Sequence, residues 1–133
     1  MKKIGTACII DDDKIFTFGV KKLLSISDFC SNILVFQNGE EAIKHLRLIL
    51  SSPDVLPDVI LLDLNMPVMD GWQFLDEFIK IKPAKKIKIY IVSSSIDQQD
   101  FDKAAQYEAV SKFITKPLSK KQIEEIIADF EAA

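Results

Sequence analysis

Residues 57 to 71 read Pro-Asp-Val-Ile-Leu-Leu-Asp-Leu-Asn-Met-Pro-Val-Met-Asp-Gly, and this stretch decides the fold. Four consecutive apolar residues, Val59 to Leu62, are typical of a strand that is covered on both faces, as in a parallel sheet. Asp63 follows directly, and the proline four residues later directs the backbone out of the sheet. Asp70 with Gln73 three residues on predicts a helix N-cap. We therefore expect Asp63 at the carboxyl end of a buried strand.

Similar apolar runs alternate with segments of helical periodicity along the rest of the chain. Further strands are expected over residues 6–10, 33–36, 87–92 and 110–114. The last of these runs is shorter and more polar, which is typical of an edge strand. Five β–α units in succession predict an α/β fold: a doubly wound, five-stranded parallel sheet of order 2-1-3-4-5 with five helices on its two faces.

Composition limits the classes of function. A chain of 133 residues that is 48% hydrophobic fits one domain, which we place over residues 1–133. The balance of 17 basic against 20 acidic residues, a net charge of -3, offers no basic field for nucleic acid. The apolar runs are far shorter than the ~20 residues of a membrane span, and no apolar segment follows the N-terminal Met-Lys-Lys. We therefore expect a cytoplasmic protein without membrane insertion or direct nucleic acid binding. Cys8 is expected in the core, and Cys30 is expected to be an incidental loop residue.

Polar side chains follow three other strands at the edge where Asp63 is expected. The first strand ends in three aspartates, residues 11–13, the fourth in Ser93, and the fifth in Thr115-Lys116-Pro117. Because the carboxyl ends of parallel strands meet at one edge of the sheet, these groups are expected to converge.

This set of side chains favours a divalent cation. Clustered carboxylates repel one another, and each raises the pKa of the others unless a cation intervenes. Asp11 and Asp12 are predicted as metal ligands with Asp63, whereas Asp13 is predicted to cap the first helix. Oxygen ligands alone suit Mg²⁺, and the backbone carbonyl of Asn65 could add one more. Lys116 is predicted to pair with a carboxylate or an incoming phosphoryl group, to which Ser93 could donate a hydrogen bond.

Four ordered motifs resemble the receiver domain of bacterial two-component response regulators, which has a flavodoxin-like fold. They are Ile-Ile-Asp11-Asp12, Leu-Leu-Asp63-Leu-Asn-Met-Pro67 with Asp70-Gly71, Val-Ser93-Ser, and Lys116-Pro117. The resemblance covers essentially the whole chain. It implies that a sensor histidine kinase or a histidine phosphotransfer protein donates a phosphoryl group to Asp63.

The same resemblance assigns the remaining roles. Asp12 would bind Mg²⁺ directly, Asp11 through a water molecule, and the carbonyl of Asn65 would complete the protein ligands. Lys116 would neutralise the phosphoryl group, and the peptide bond that precedes Pro117 would be cis.

Two further positions would form the switch. Ser93 would follow the phosphoryl group, and Phe113 would swing inward behind it. This would change the surface of helix four, strand five and helix five, which controls a downstream partner protein. The family more often has Tyr at this position. Because Phe113 has no phenolic hydroxyl, the output of the switch would depend on the packing of its ring.

Three other readings of the motifs remain. An Mg²⁺-dependent phosphatase of the haloacid-dehalogenase type would need a longer chain and a second aspartate where Asn65 stands. A flavodoxin-like electron carrier would repel its flavin phosphate from the three aspartates at residues 11–13. A phosphorylation-independent binding scaffold would have no need for Asp63, Lys116 and the metal acids. We expect a stand-alone receiver that acts by protein contact and is not an enzyme.

Overall fold

The computed structural model describes residues 4–132, so the predicted domain range of 1–133 and the N-terminal Met-Lys-Lys extend outside the described residues. Five strands alternate with five helices. In chain order the elements are β1 (Thr6–Ile10), α1 (Lys14–Ile26), β2 (Asn32–Phe36), α2 (Gly39–Leu48), β3 (Val59–Leu62), α3 (Gly71–Phe78), β4 (Lys88–Ser93), α4 (Gln98–Ala105), β5 (Val110–Thr115) and α5 (Lys120–Ala132).

All strand pairs are parallel, and the sheet has the order β2-β1-β3-β4-β5. The predicted doubly wound α/β architecture is therefore confirmed. β1 and β3 have the predicted bounds, while β4 begins and ends one residue later than predicted. β5 is an edge strand, as its polar sequence indicated.

The central strand β3 explains why the helices lie on both faces of the sheet. Its four residues are all buried. Ile60 and Leu62 pack in a layer with residues of α2 and α3, whereas Val59 and Leu61 pack in a second layer with residues of α1 and α5. Because successive side chains of a strand point to opposite faces, one apolar run supplies both layers.

Each of the five helices begins at a side-chain cap, and α1, α3 and α5 show the pattern. Asp13 accepts hydrogen bonds from the first turn of α1, as predicted. Asp70 and Gln73 form a complete capping box on α3, and Ser119 and Gln122 form the same reciprocal pair at the start of α5. Each cap satisfies backbone N–H groups that the helix itself leaves unpaired, so the ends of these helices are well defined.

Four side chains differ from their predicted environments. The helical spacing predicts Ile79 of α3 and Ala105 of α4 on the apolar faces of their helices, but both are exposed. Ile79 is 59% exposed because α3 ends at Phe78. Cys30, expected as an incidental loop residue, is buried in the layer that contains residues of α1 and α5. His45, expected on the solvated side of α2, is half-buried with its ring 5.2 Å from that of Phe36. In the described part of the chain, no helix is long and apolar enough to span a bilayer.

Backbone hydrogen bonds continue past the strand ends. The N–H of Asp11 donates to the carbonyl of Phe36, and the N–H of Asp63 donates to Ile10. At the other side of the edge, the N–H of Lys116 donates to the carbonyl of Ser93. These bonds hold the first residue after three strands in sheet register, which places their side chains at one edge.

Candidate functional site

Three carboxylates meet at the carboxyl edge of the sheet. Oxygen atoms of Asp11, Asp12 and Asp63 all lie within 4.8 Å of one another. Asp11 and Asp63 are buried, with 3% and 6% of their surface exposed, whereas Asp12 is exposed to solvent. The arrangement offers several oxygen ligands on a site that is open on one side, which suits a hard cation that keeps some of its water.

Lys116 supplies the positive charge beside these acids. Its Nζ lies 2.9 Å from Oδ2 of Asp11 and 3.8 Å from Oδ1 of Asp63. The ammonium group also lies 4.0 Å from the centre of the Phe16 ring, a cation–π geometry. The peptide bond to Pro117 is cis, as the resemblance implied. Lys116 is therefore held primarily by Asp11 and the aromatic ring, within reach of a group attached to Asp63.

The electrostatic environment of Asp63 is unusual for an aspartate. Burial and then repulsion by Asp11 raise the pKa of Asp63 to about 6. Lys116 and the backbone N–H groups of Leu64 and Asn65 act in the opposite direction. The ionised carboxylate of Asp63 is therefore destabilised, and a cation bound at this edge would stabilise it again.

The segment after Asp63 returns closely onto the strand end. The N–H of Leu64 donates to Oδ1 of Asp63, and the N–H of Gly71 donates to the carbonyl of Leu64. A Cβ atom on Gly71 would lie 2.5 Å from the carbonyl oxygen of Asp63 and 2.8 Å from Cα of Leu64. Only glycine permits α3 to begin this close to the site. Val68, in the loop between Asp63 and Gly71, has a φ of 74°, a left-handed conformation that is unfavourable for a β-branched residue.

The two predicted switch residues lie on neighbouring strands. Ser93 is fully buried at the end of β4, and its Oγ accepts a hydrogen bond from the backbone N–H of Ser95 at 3.2 Å. Phe113 on β5 is half-buried, and its ring meets that of Phe101 edge-on with 4.5 Å between centroids. The predicted inward movement of Phe113 would therefore change its packing against α4.

The remaining predicted residues lie at the rim. Asp13 caps α1 and is not part of the carboxylate cluster, although its N–H donates to Oδ1 of Asp11. Asn65 is exposed, and the role of its carbonyl as a metal ligand stays a prediction.

The contact of Phe16 with Lys116 and the close approach of Gly71 to Asp63 were not predicted from the sequence. A glycine directly after an N-cap was the available signal for the second. Nothing in the sequence distinguished Phe16 from the other apolar residues of α1.

Together these groups suit transfer of a phosphoryl group to Asp63. Such a transfer needs little covalent assistance; it needs alignment and compensation of charge. A buried carboxylate, an adjacent ammonium group and oxygen ligands for a divalent cation supply both requirements.

Comparison with known proteins gives a consistent result. A family model described as the response regulator receiver domain matches residues 7–128. The chemotaxis protein CheY of Listeria monocytogenes is 29% identical over 119 residues, which cover 90% of this chain and 92% of that protein.

Solved structures agree with the family match. A two-component response regulator from Cytophaga hutchinsonii superposes with a TM-score of 0.90 at 27% identity, covering 99% of this chain and 100% of the other. The phosphorylated cyanobacterial phytochrome response regulator RcpA has a TM-score of 0.75 at 27% identity, covering 96% and 91% of the two chains.

Proposed function

This chain belongs to the response regulator receiver family, and on that basis we propose that it is the phosphoacceptor protein of a two-component system. A sensor histidine kinase or a histidine phosphotransfer protein donates a phosphoryl group to Asp63, and the surface of α4, β5 and α5 then controls a partner protein. The observation that carries the proposal is the burial of Asp63 among Asp11, Asp12 and Lys116. We place the phosphotransfer in the cytoplasm and assign all of residues 1–133 to this one domain.

The carboxylate cluster is the proposed Mg²⁺ site. Asp12, Asp63 and the carbonyl of Asn65 would bind the ion directly, and Asp11 would act through a water molecule. The donor set supports this choice because it consists of oxygen atoms only, and because exposed Asp12 leaves room for bound water. When bound, Mg²⁺ supplies charge compensation for the phosphoryl oxygens.

Asp63 is the proposed nucleophile. One of its carboxylate oxygens forms a bond to phosphorus while the bond from phosphorus to the donor histidine nitrogen breaks, and the nitrogen keeps the electron pair. Lys116 lies near enough to compensate the charge that this transfer adds, about -1.5 to -2 units on the acyl phosphate. Its contact with Asp11 keeps the ammonium group in place before the phosphoryl group arrives.

Ser93 connects the modification to the switch. Its hydroxyl is buried at the same edge, and it is suited to donate a hydrogen bond to a phosphoryl oxygen on Asp63. The ring of Phe113, which already contacts α4, then repacks. The local change in charge thereby shifts a two-state surface, which is how receivers are expected to signal.

We assign no enzymatic turnover to the chain beyond modification of its own Asp63. A phosphatase of the haloacid-dehalogenase type would place an acid–base aspartate two residues after the nucleophile, where this chain has Asn65. The protein-glutamate methylesterases among its relatives are matched over only 31% or 30% of their length. We therefore do not assign their esterase activity to this chain.

Labelling with a small phosphodonor tests the proposal. The protein is incubated with acetyl phosphate and Mg²⁺, and intact mass spectrometry detects the phosphorylated species. We expect labelling of the wild type, loss of labelling in D63N, and loss on chelation of Mg²⁺. D13N is the matched control, because Asp13 lies next to the cluster but caps a helix. Undiminished labelling of D63N, or labelling that is independent of Mg²⁺, would contradict the proposal.

A further inference from the structure

Helix α4 is attached to the rest of the domain by a small set of specific contacts. Of its eight residues, only Ala104 is buried. Asp100 and Phe101 in its first turn contact Ser95 and Phe113, respectively. Because little apolar surface holds α4 in place, these two contacts have a large share in setting its position.

A continuous chain of hydrogen bonds joins Ser93 to the first turn of α4. Oγ of Ser93 accepts from the N–H of Ser95 at 3.2 Å. Oγ of Ser95 in turn donates to Oδ2 of Asp100 at 2.5 Å and accepts from the N–H of Asp97 at 3.3 Å. Ser95, Asp97 and Asp100 are therefore hydrogen-bonded as one unit, and the bond to the hydroxyl of Ser93 adds a link to the strand end beside the backbone itself.

The next residue on α4 extends this chain to β5. Phe101 follows Asp100 in the helix, and its ring packs edge-on against Phe113 with 4.5 Å between centroids. A movement of the first turn of α4 cannot leave this pair of rings unchanged, because aromatic pairs depend on their mutual orientation. The two switch residues are therefore connected through α4 as well as through the sheet.

We propose that Asp100 is a positioning residue that joins residues 93–95, at the end of β4, to α4. A displacement of Ser93 then moves Phe101 and thereby changes the packing of Phe113. This inference rests on the proposed function, since phosphorylation of Asp63 is what displaces Ser93. Asp100 touches neither the metal acids nor Lys116 in the contacts of the described residues. Removal of the Asp100 carboxylate therefore uncouples α4 from the site without removing the side chains that bind the phosphoryl group.

The chain contains its own reporter of the position of α4. Trp72 is the single tryptophan of the sequence. Its ring stacks on that of Tyr107, directly after α4, with 5.8 Å between centroids, and Nζ of Lys103 on α4 lies 4.6 Å from the ring centre. A shift of α4 changes both contacts, so the fluorescence of Trp72 reports the movement without an added label.

The experiment measures binding and movement separately on the full chain. Beryllofluoride with Mg²⁺ serves as the phosphoryl mimic, ¹⁹F NMR detects its binding at Asp63, and the emission of Trp72 reports α4. We expect D100A and S95A still to bind beryllofluoride at saturating concentrations, because neither substitution removes a group of the site. Since allosteric couplings are typically worth about 5- to 150-fold, each should lower the equilibrium constant for the α4 shift by about 5-fold or more.

Three variants separate the effect of the hydrogen bond between Ser95 and Asp100 from a general effect on helix α4. The double variant S95A/D100A is expected to lose no more of the fluorescence response than S95A alone, because S95A already removes the hydrogen bond to Asp100 together with the one from the N–H of Asp97. D100N keeps an acceptor for Ser95 but removes the negative charge at the helix N-terminus, so it should retain the response. D102A is the matched control, since Asp102 on the same helix contacts Gln98 instead.

The outcomes distinguish this inference from the function on which it rests. Absence of beryllofluoride binding to the wild type overturns the proposed function and this inference with it. If the wild type binds beryllofluoride, the inference is overturned by an unchanged Trp72 emission in the wild type, a full response in D100A and S95A, or an equal loss in D102A. Circular dichroism verifies the fold of each variant, and S95A alone decides the outcome if D100A does not fold.

Discussion

Replacement of Gly71 by alanine should disturb the site more than the same replacement at Gly5, Gly19 or Gly39. The added Cβ would lie 2.5 Å from the carbonyl oxygen of Asp63 and 2.8 Å from Cα of Leu64, and both atoms belong to the backbone. Ordinary contacts of this kind need at least 3.4 Å. The start of α3 and the end of β3 would therefore have to separate by roughly 1 Å, a displacement large enough to impair a reacting geometry.

Two effects of G71A on stability oppose each other. Overpacking against a rigid backbone costs about 1 to 3 kcal/mol, and alanine in a helix gains up to about 1 kcal/mol over glycine. We expect the free energy of unfolding to fall by about 1 kcal/mol. Since a misplacement of 1 Å can cost about 10²-fold in rate, labelling of Asp63 by acetyl phosphate should slow by about that factor.

Urea denaturation and the rate constant of labelling measure the two quantities. G19A is the matched control, because a Cβ on Gly19 in α1 meets no atom within 4 Å. It should raise the free energy of unfolding by about 0.5 to 1 kcal/mol through helix propensity and leave labelling unchanged. A G71A variant as stable and as rapidly labelled as the wild type would refute the reasoning.

Two further predictions concern stability. Because Val68 has a φ of 74°, V68G should raise the free energy of unfolding by about 1 kcal/mol in urea titrations. V55G is the control and should not raise it. A lower stability of V68G would count against strain at this residue. Burial alone would raise the pKa of Asp58, but hydrogen bonds from Lys85 and two backbone N–H groups hold it below its ordinary value. Because the native pKa is the lower one, the contribution of Asp58 is present above the unfolded pKa of about 3.9 and is lost as pH falls through the native value. D58N should therefore cost about 1.5 kcal/mol at neutral pH and progressively less in acid, and a difference that does not change with pH would contradict this assignment.

The sequence predicted the features that depend on local pattern. A buried run from Val59 to Leu62 with an acid behind it determined the central strand and the place of Asp63, because burial on both faces leaves no polar position within the run. Caps such as Asp70 with Gln73 were predictable for the same reason, since donor and acceptor are three residues apart.

Features that depend on distant parts of the chain were not predictable in this way. The contact of Phe16 with Lys116 joins residues at opposite ends of the chain, and no periodicity reports it. Ile79 fits the apolar stripe of α3, yet it is exposed because the helix ends one residue earlier. His45 was predicted to be solvated because it lies on the exposed side of α2, whereas its ring lies 5.2 Å from that of Phe36. For Phe16 and His45, contacts with distant residues determine an environment that the local pattern does not report, whereas Ile79 depends on where its own helix ends.

The measurement that tests the central claim most directly is chemical mapping of the modified residue. The protein is labelled with acetyl phosphate and Mg²⁺ and then reduced with borohydride, which converts an aspartyl phosphate to homoserine. Peptide sequencing by mass spectrometry then locates the product. We predict homoserine at position 63 alone, since this buried carboxylate lies beside both the metal acids and Lys116. Homoserine at residue 11 or 12, or an unmodified Asp63 in labelled protein, would contradict the account.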